Sequence, residues 1–413
     1  MKNKFLHVVL TGIVGFSLLI CGCKNPASNE SFNTSGTPLT LEVIENGTII
    51  LTNPDRVVNL RYKIDNEEFV SVSVNSEIAV TAGNKVSFFG EGTTNTDSVS
   101  FNINCSSDCY IYGNIMSLLA EDYQTATEIT QDYAFSKLFF SNTHIKNSPT
   151  KELELPATIL SKYCYHYMFA DCDALTSSPI LPATDLAEGC YFGMFAGCNV
   201  FINPPSLPAK NLAKGCYYSM FYNCGSLATP PSLPATNLTE YCYFGMFEGC
   251  YSLTSAPSLP ATNLALCCYE YMFGGCKALK VAPSLPASKL ASACYSYMFY
   301  NCSSLSVAPN LPALNLTEYC YKCMFTNCTS LTTSPILPAV KLAKECYIWM
   351  FDGCTKLNYI TCMAKDISAD SCTSYWVTDV SSSGTFIRAR NVDWSVKTGN
   401  NGIPSGWTVI EVD

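Results

Sequence analysis

The chain has 413 residues, 14% of them charged, with a formal net charge of −9 and no basic stripe, which argues against nucleic acid as a partner. Hydrophobic residues make up 48%, yet beyond the N-terminus no apolar run approaches the roughly 18 residues that span a bilayer. That hydrophobicity therefore has to fill a packed core.

At the start, Lys2 and Lys4 precede an apolar stretch from Phe5 to Ile20, the composition of a targeting segment over residues 1–22. The following Ile20-Cys21-Gly22-Cys23 resembles the lipobox of bacterial lipoproteins. The resemblance implies lipidation of Cys23 and anchoring to a membrane at the bacterial cell surface or outer membrane; an ordinary cleaved signal peptide is the alternative. Residues 23–38 are rich in Asn, Ser, Gly and Pro, as a flexible tether is.

Over residues 39–110, short alternating runs such as 39–44, 48–51, 57–64, 69–74 and 86–89 predict a small antiparallel, sandwich-like β domain. Asn46-Gly47 reads as a hairpin turn and Ala82-Gly83-Asn84 as another turn. Cys105 and Cys109 fit no common zinc spacing and read as structural. Residues 111–150 form a degenerate unit expected to cover one end of the repeat that follows, and 363–413 read as a C-terminal cap.

Between them, residues 151–362 repeat with a period of 26. Cysteine recurs from Cys164 to Cys372 and, eight residues later, from Cys172 to Cys354, so 17 of the 24 cysteines share one register. Tyr165 to Tyr347, Met168 to Met350, Phe169 to Phe351 and a Leu-Pro-Ala triplet keep the same step. A fixed period of this size is the mark of a solenoid, whose units bury their faces only on their neighbours.

Within one unit Leu238, Cys242 and Met246, with Tyr243 and Phe247, predict one stripe of a short helix. Thr236 or Asn237 is available to cap it, and the Gly/Asn column that includes Gly249 to stop it. Two prolines per unit leave room for only a very short strand, with Leu253, Pro257 and Leu259 on one side. The cysteines lie on the apolar stripe and read as buried thiols. Disulfides are the alternative, disfavoured if stacked helical turns are about 8–10 Å apart. A metal is the remaining one, disfavoured because His and acidic partners are missing from these columns and the single CxxC, Cys320 and Cys323, is isolated.

The stretch Leu233-Pro234-Ala235-Thr236-Asn237-Leu238, followed by Cys242-Tyr243-Phe244-Gly245-Met246-Phe247-Glu248-Gly249-Cys250 and on through Leu253 to Pro257, resembles the leucine-rich repeats of BspA-like bacterial surface proteins. The resemblance implies a curved right-handed solenoid with a helical turn and a strand per coil, and adhesion to host proteins or glycans.

No spaced carboxylate pair, nucleophile and base, or phosphate loop stands out, so no catalytic residue, cofactor or metal is assigned. Binding is the expected role. Candidate contacts are the aromatic residues at variable repeat positions: Phe192, Tyr218, Tyr222, Phe244, Tyr251, Tyr271, Tyr297, Tyr300 and Trp349. An adhesin recognising a host protein or glycan is the leading reading. A glycan-capturing lipoprotein of an uptake system and a purely structural surface protein are the alternatives.

Overall fold

The computed structural model describes residues 36–397 and 399–413, all within one compact unit, Thr34–Asp413. The expected signal segment, the lipidation site at Cys23 and most of the tether lie outside the described residues.

Ten short strands build the N-terminal part. They are β1 (Thr40–Val43), β2 (Gly47–Thr52), β3 (Arg61–Ile64), β4 (Val70–Ser71), β5 (Ser76–Val80), β6 (Lys85–Phe89), β7 (Asn102–Cys105), β8 (Cys109–Asn114), β9 (Ile145–Asn147) and β10 (Leu153–Glu154). A seven-stranded sheet runs β10-β8-β1-β6-β3-β4, with β9 also on β8, and a three-stranded sheet runs β5-β2-β7. Alternation turns Leu41, Val43, Ile49, Leu51, Val86, Phe88 and Ile103 into one shared core.

Two expectations need correction here. The larger sheet is mixed, because β9 and β10 join β8 in parallel. Nor does Asn46-Gly47 close a hairpin: β1 pairs with β6 and β8, while β2 pairs with β5 and β7. The Asn46 carboxamide instead accepts from the Ala82 N–H at 2.9 Å, tying together two loops that both switch sheets.

Beyond this part the chain coils, and each coil has two sides. On one, the Leu-Pro-Ala segments lie parallel, joined by single-residue bridges such as Ser177 to Asn203, Asn237 to Asn263 and Val281 to Val307. Proline lacks the N–H a longer ladder requires. Toward the C-terminal end the ladder lengthens as proline-free strands follow a proline-bearing one: β11 (Thr333–Leu337, with Pro335), β12 (Tyr359–Cys362), β13 (Thr385–Ala389) and β14 (Thr408–Val412) form a parallel sheet in chain order. Residues 333–412 are thus a β-solenoid, and its last two strands come from the C-terminal tail.

The other side was expected to be a short helix, and no helix is there. Among the described residues helical winding is confined to 3₁₀ turns at Pro54–Arg56, Ile115–Leu118 and Gly399–Asn401, all outside the repeat. The backbone supplies the reason. Tyr241, Gly245 and Gly249, every fourth residue, have φ of 57°, 55° and 75°. An α-helix cannot contain such left-handed residues. Between them the N–H groups alternate. Cys242, Phe244, Met246, Glu248 and Cys250 donate three residues back, whereas Tyr241, Tyr243, Gly245, Phe247 and Gly249 donate to carbonyls of the next coil. The result is a ladder of overlapping turns with a period of four. Over nine residues that period and the helical 3.6 place the same side chains inward, hence the misreading. Asn237 accordingly sits in a bridge between coils and caps no helix.

The inward side chains stack by column. Rings from Tyr165 to Tyr347 pair at 5.7–6.0 Å, and rings from Phe139 to Phe351 at 5.5–5.9 Å. Trp376, in the place of a repeat methionine, closes both stacks. At the opposite end the carboxamides of Asn95, Asn102 and Asn104 donate to carbonyls of Ala134, Lys137 and Ser141, so the β part satisfies the first coil's open edge.

All 22 cysteines among the described residues are free and buried. The reason is not the one expected. Backbone hydrogen bonds hold adjacent coils at strand-like spacing, about 4.8 Å, close enough for disulfide geometry. Instead each thiol of the second column donates to the phenylalanine (or equivalent) carbonyl of the preceding coil at 3.0–3.2 Å. Cys172 reaches Phe139, Cys250 reaches Phe221 and Cys354 reaches Phe325. Burial also pushes thiols such as Cys242, Cys302 and Cys354 up to about 12, away from the reactive thiolate. Denatured without reductant, the chain should titrate nearly all of these thiols with Ellman's reagent; an unreactive majority would overturn the free-thiol assignment.

Candidate functional site

The turn ladder presents its fourth residue and the following left-handed residue outward, so two columns run side by side. One holds His166, Phe192, Tyr218, Phe244, Glu270, Ser296, Lys322 and Ile348. The other holds Tyr167, Gly193, Ser219, Gly245, Tyr271, Tyr297, Cys323 and Trp349. From Phe192 onward a ring in one column faces a small or non-aromatic residue in the other. Glycine in the left-handed column also clears space for the neighbouring ring: a Cβ on Gly193 would lie 2.3 Å from the Tyr167 ring.

These rings join into one stripe. Phe192 stacks on Tyr218 at 4.3 Å and Tyr218 on Phe244 at 4.4 Å. The stack then shifts column, with Phe244 and Tyr271 tilted at 5.9 Å, and resumes as Tyr271 on Tyr297 at 4.4 Å. Tyr300 meets Tyr297 edge-on at 5.8 Å. Where Cys323 interrupts the rings, the Lys322 ammonium lies 5.7 Å from Tyr297 and 5.9 Å from Trp349, and Trp349 continues onto Tyr375 at 6.0 Å. Seven of the nine expected contacts therefore join this stripe through ring or cation contacts. Tyr222 lies in the Tyr300 column, whereas Tyr251 sits apart, beside Lys277.

Sequence reasoning missed Tyr133, Tyr163, His166, Tyr167 and Tyr375, which extend the stripe at its two ends. The signal was present for His166, Tyr167 and Tyr375, which fall at the same two offsets of the 26-residue period; Tyr133 and Tyr163 belong to a third column, four residues before that of Tyr167.

Because the rings stack face to face, the stripe offers mainly ring edges and phenolic hydroxyls. Burial pushes the Tyr218 and Tyr271 phenols up to about 12, so both remain donors. The faces open at one place. In the next column Gly189 and Gly215 separate Tyr163 from Tyr241, and above Gly215 a cleft of about 200 Å³ is lined by Tyr163, Phe192, Lys214, Tyr218 and Tyr241. Lys214 stands over Tyr241 at 5.8 Å and pairs with Glu240 at 3.2 Å.

No family model matches the chain. No curated protein or solved structure is significantly similar to it.

The titratable groups of the stripe have local explanations. His166 Nδ1 is 3.3 Å from Ser136 Oγ and 3.9 Å from Asp97 Oδ1; both approach the same nitrogen, so the three do not form a proton relay. Burial among rings pulls this imidazole down to about 4 and keeps it neutral. Cys320 lies in the core column and Cys323 in the outer one, and among the described residues no three His, Cys, Asp or Glu converge on a metal position.

Beside Gly245, burial pushes the Glu248 carboxyl up to about 7. The folded state then binds more protons than the unfolded state between the ordinary glutamate range and pH 7. The corresponding stability is full at low pH and lost as pH rises through 7. Glu248→Gln should therefore flatten the fall between pH 5 and 8 and gain about 1–2 kcal/mol at pH 8 after solvent screening. Urea unfolding of both proteins across that range tests this; parallel pH curves would refute it.

Proposed function

We propose that the chain is a cell-surface binding protein, anchored through Cys23, whose stripe engages a host protein as an adhesin does. The observation that carries this reading is the continuity of the half-buried aromatic stripe along one face of successive coils. Rigid rings supply contact area at little ordering cost, and the phenols supply directed hydrogen bonds. A protein partner suits the stripe better than a glycan, since stacking on pyranoses requires ring faces that here cover one another. The apolar cleft over Gly215, with Lys214 at its edge, has room for one aromatic side chain of the partner, in the manner of an anchor residue. The resemblance to BspA-like repeats and to a lipobox supports the same role.

The test is a binding screen of residues 24–413 against host matrix proteins and complex glycans. The expected outcome is a saturable protein hit that Gly215→Tyr weakens at least about tenfold. Tyrosine already occupies this column in the left-handed conformation at Tyr163 and Tyr241, so the substitution fills the cleft without a new backbone requirement. A hit indifferent to Gly215→Tyr and to Tyr271→Ser with Tyr297→Ser would remove the stripe from the binding. Binding to soluble glycans alone would favour nutrient capture, and no hit a structural role.

A further inference from the structure

A second constellation lies on the outer face of the seven-stranded sheet. The register sets Lys63 of β3, Ser87 of β6, Thr40 of β1 and Tyr112 of β8 opposite one another in a single row. At about 4.8 Å per strand the row is about 14 Å wide. Its middle is low: Thr40 and Ser87 are small, and their hydroxyls bond to each other at 3.0 Å. Its two walls are built alike, from a lysine lying on a ring. Lys151 Nζ stands 4.0 Å from the Tyr112 centroid, and Lys63 Nζ 5.7 Å from that of Phe69. Phe89 and Tyr123, edge to face at 6.5 Å, line one end, and Lys85 with Asp65 the other. The trough encloses about 610 Å³.

Its charge balance is positive in a chain of net charge −9. Asp65 is occupied by the Lys85 N–H and the Asn84 carboxamide, both at 3.0 Å, and Glu42 by the Tyr112 hydroxyl at 3.0 Å and Lys151 at 3.4 Å. Lys63 and Lys85 make no ion pair among the described residues.

We propose that this trough binds an acidic oligosaccharide, a run of pyranoses bearing carboxylate or sulfate groups. The anions lie against Lys63, Lys85 and Lys151, hydroxyls meet Ser87 and Asn66, and the exposed edge of the Phe69 ring, whose faces carry Lys63 and Arg61, meets an apolar part of a sugar. A floor of hydroxyls between charged walls meets the polar demand of a sugar, which the apolar cleft on the solenoid does not. The rings under Lys63 and Lys151 hold the ammonium groups in place, so little ordering remains on binding.

Calorimetry of the whole chain tests this with four probes: tetragalacturonate, a sulfated heparin tetrasaccharide, neutral cellotetraose and tetraglutamate. Saturable binding of one or both acidic saccharides is expected, and the tighter of the two identifies the anion. Lys63→Gln with Lys151→Gln should weaken it at least tenfold, and added salt should weaken it too. Ser87→Tyr, which fills the floor, should abolish binding with the thermal midpoint unchanged. No binding of either acidic saccharide overturns the proposal. So do cellotetraose or tetraglutamate binding equally well, and affinity indifferent to the lysine substitutions.

Discussion

Phe247→Ala should lower the unfolding free energy by about 3–5 kcal/mol, the upper part of the range for core truncations. The ring is fully buried between Phe221 at 5.7 Å and Phe273 at 5.8 Å. Collapse of the site would require adjacent coils to approach, but their spacing is pinned: Phe221 donates to Met246, Phe247 to Met272 and Gly249 to Gly274. The cavity therefore stays open. Since each coil contacts only its neighbours, the loss should also be local, with faster amide exchange concentrated between residues 217 and 277. Urea unfolding gives the size of the effect and hydrogen exchange its place. A loss under about 1 kcal/mol, or acceleration spread evenly along the chain, would refute the picture of pinned coils.

The architecture was legible where it rests on repetition. Period 26, the inward columns of Cys, Tyr, Met and Phe, and the shortness of the proline-bearing strands all follow from residue types at fixed offsets. The backbone of the turn ladder was not. Tyr163, Tyr241, Tyr297 and Trp349 occupy left-handed positions, where ordinary preferences expect glycine or asparagine. They are held there by hydrogen bonds between coils, a tertiary effect that one unit read alone cannot display.

The stripe was half legible for a related reason. Variable aromatics can be read from the sequence, but their shift from the Phe244 column to the Tyr271 column appears only once the outward positions are known. In the β part the strands were partly visible, whereas the row from Lys63 to Tyr112 joins four strands distant in sequence and depends wholly on register. Likewise the thiols were read correctly as core, yet their bonding to carbonyls of the preceding coil depends on a spacing the helical reading did not contain.

The left-handed ladder makes its own sharp prediction at Gly249. Its φ is 75°, and a Cβ would fall 2.0 Å from Asn223 Oδ1 and 3.3 Å from Asn223 Cα. Valine cannot escape either constraint, since its branched Cβ disfavours positive φ and the nearby backbone does not yield. Gly249→Val should cost about 2–3 kcal/mol. Asparagine meets the same site differently. Asn301 and Asn327 already occupy this column in adjacent coils with φ of 58° and 61°, and Asn327 Nδ2 donates to Asn301 Oδ1 at 2.9 Å. In Gly249→Asn the Asn223 carboxamide can turn to make the same pair, so the loss should stay within about 1 kcal/mol. Urea unfolding of the two variants decides the matter. If the fold instead needed only a small residue there, serine would be tolerated better than asparagine; if it needed a helix stop, valine would fail by fraying one coil without lowering the whole transition.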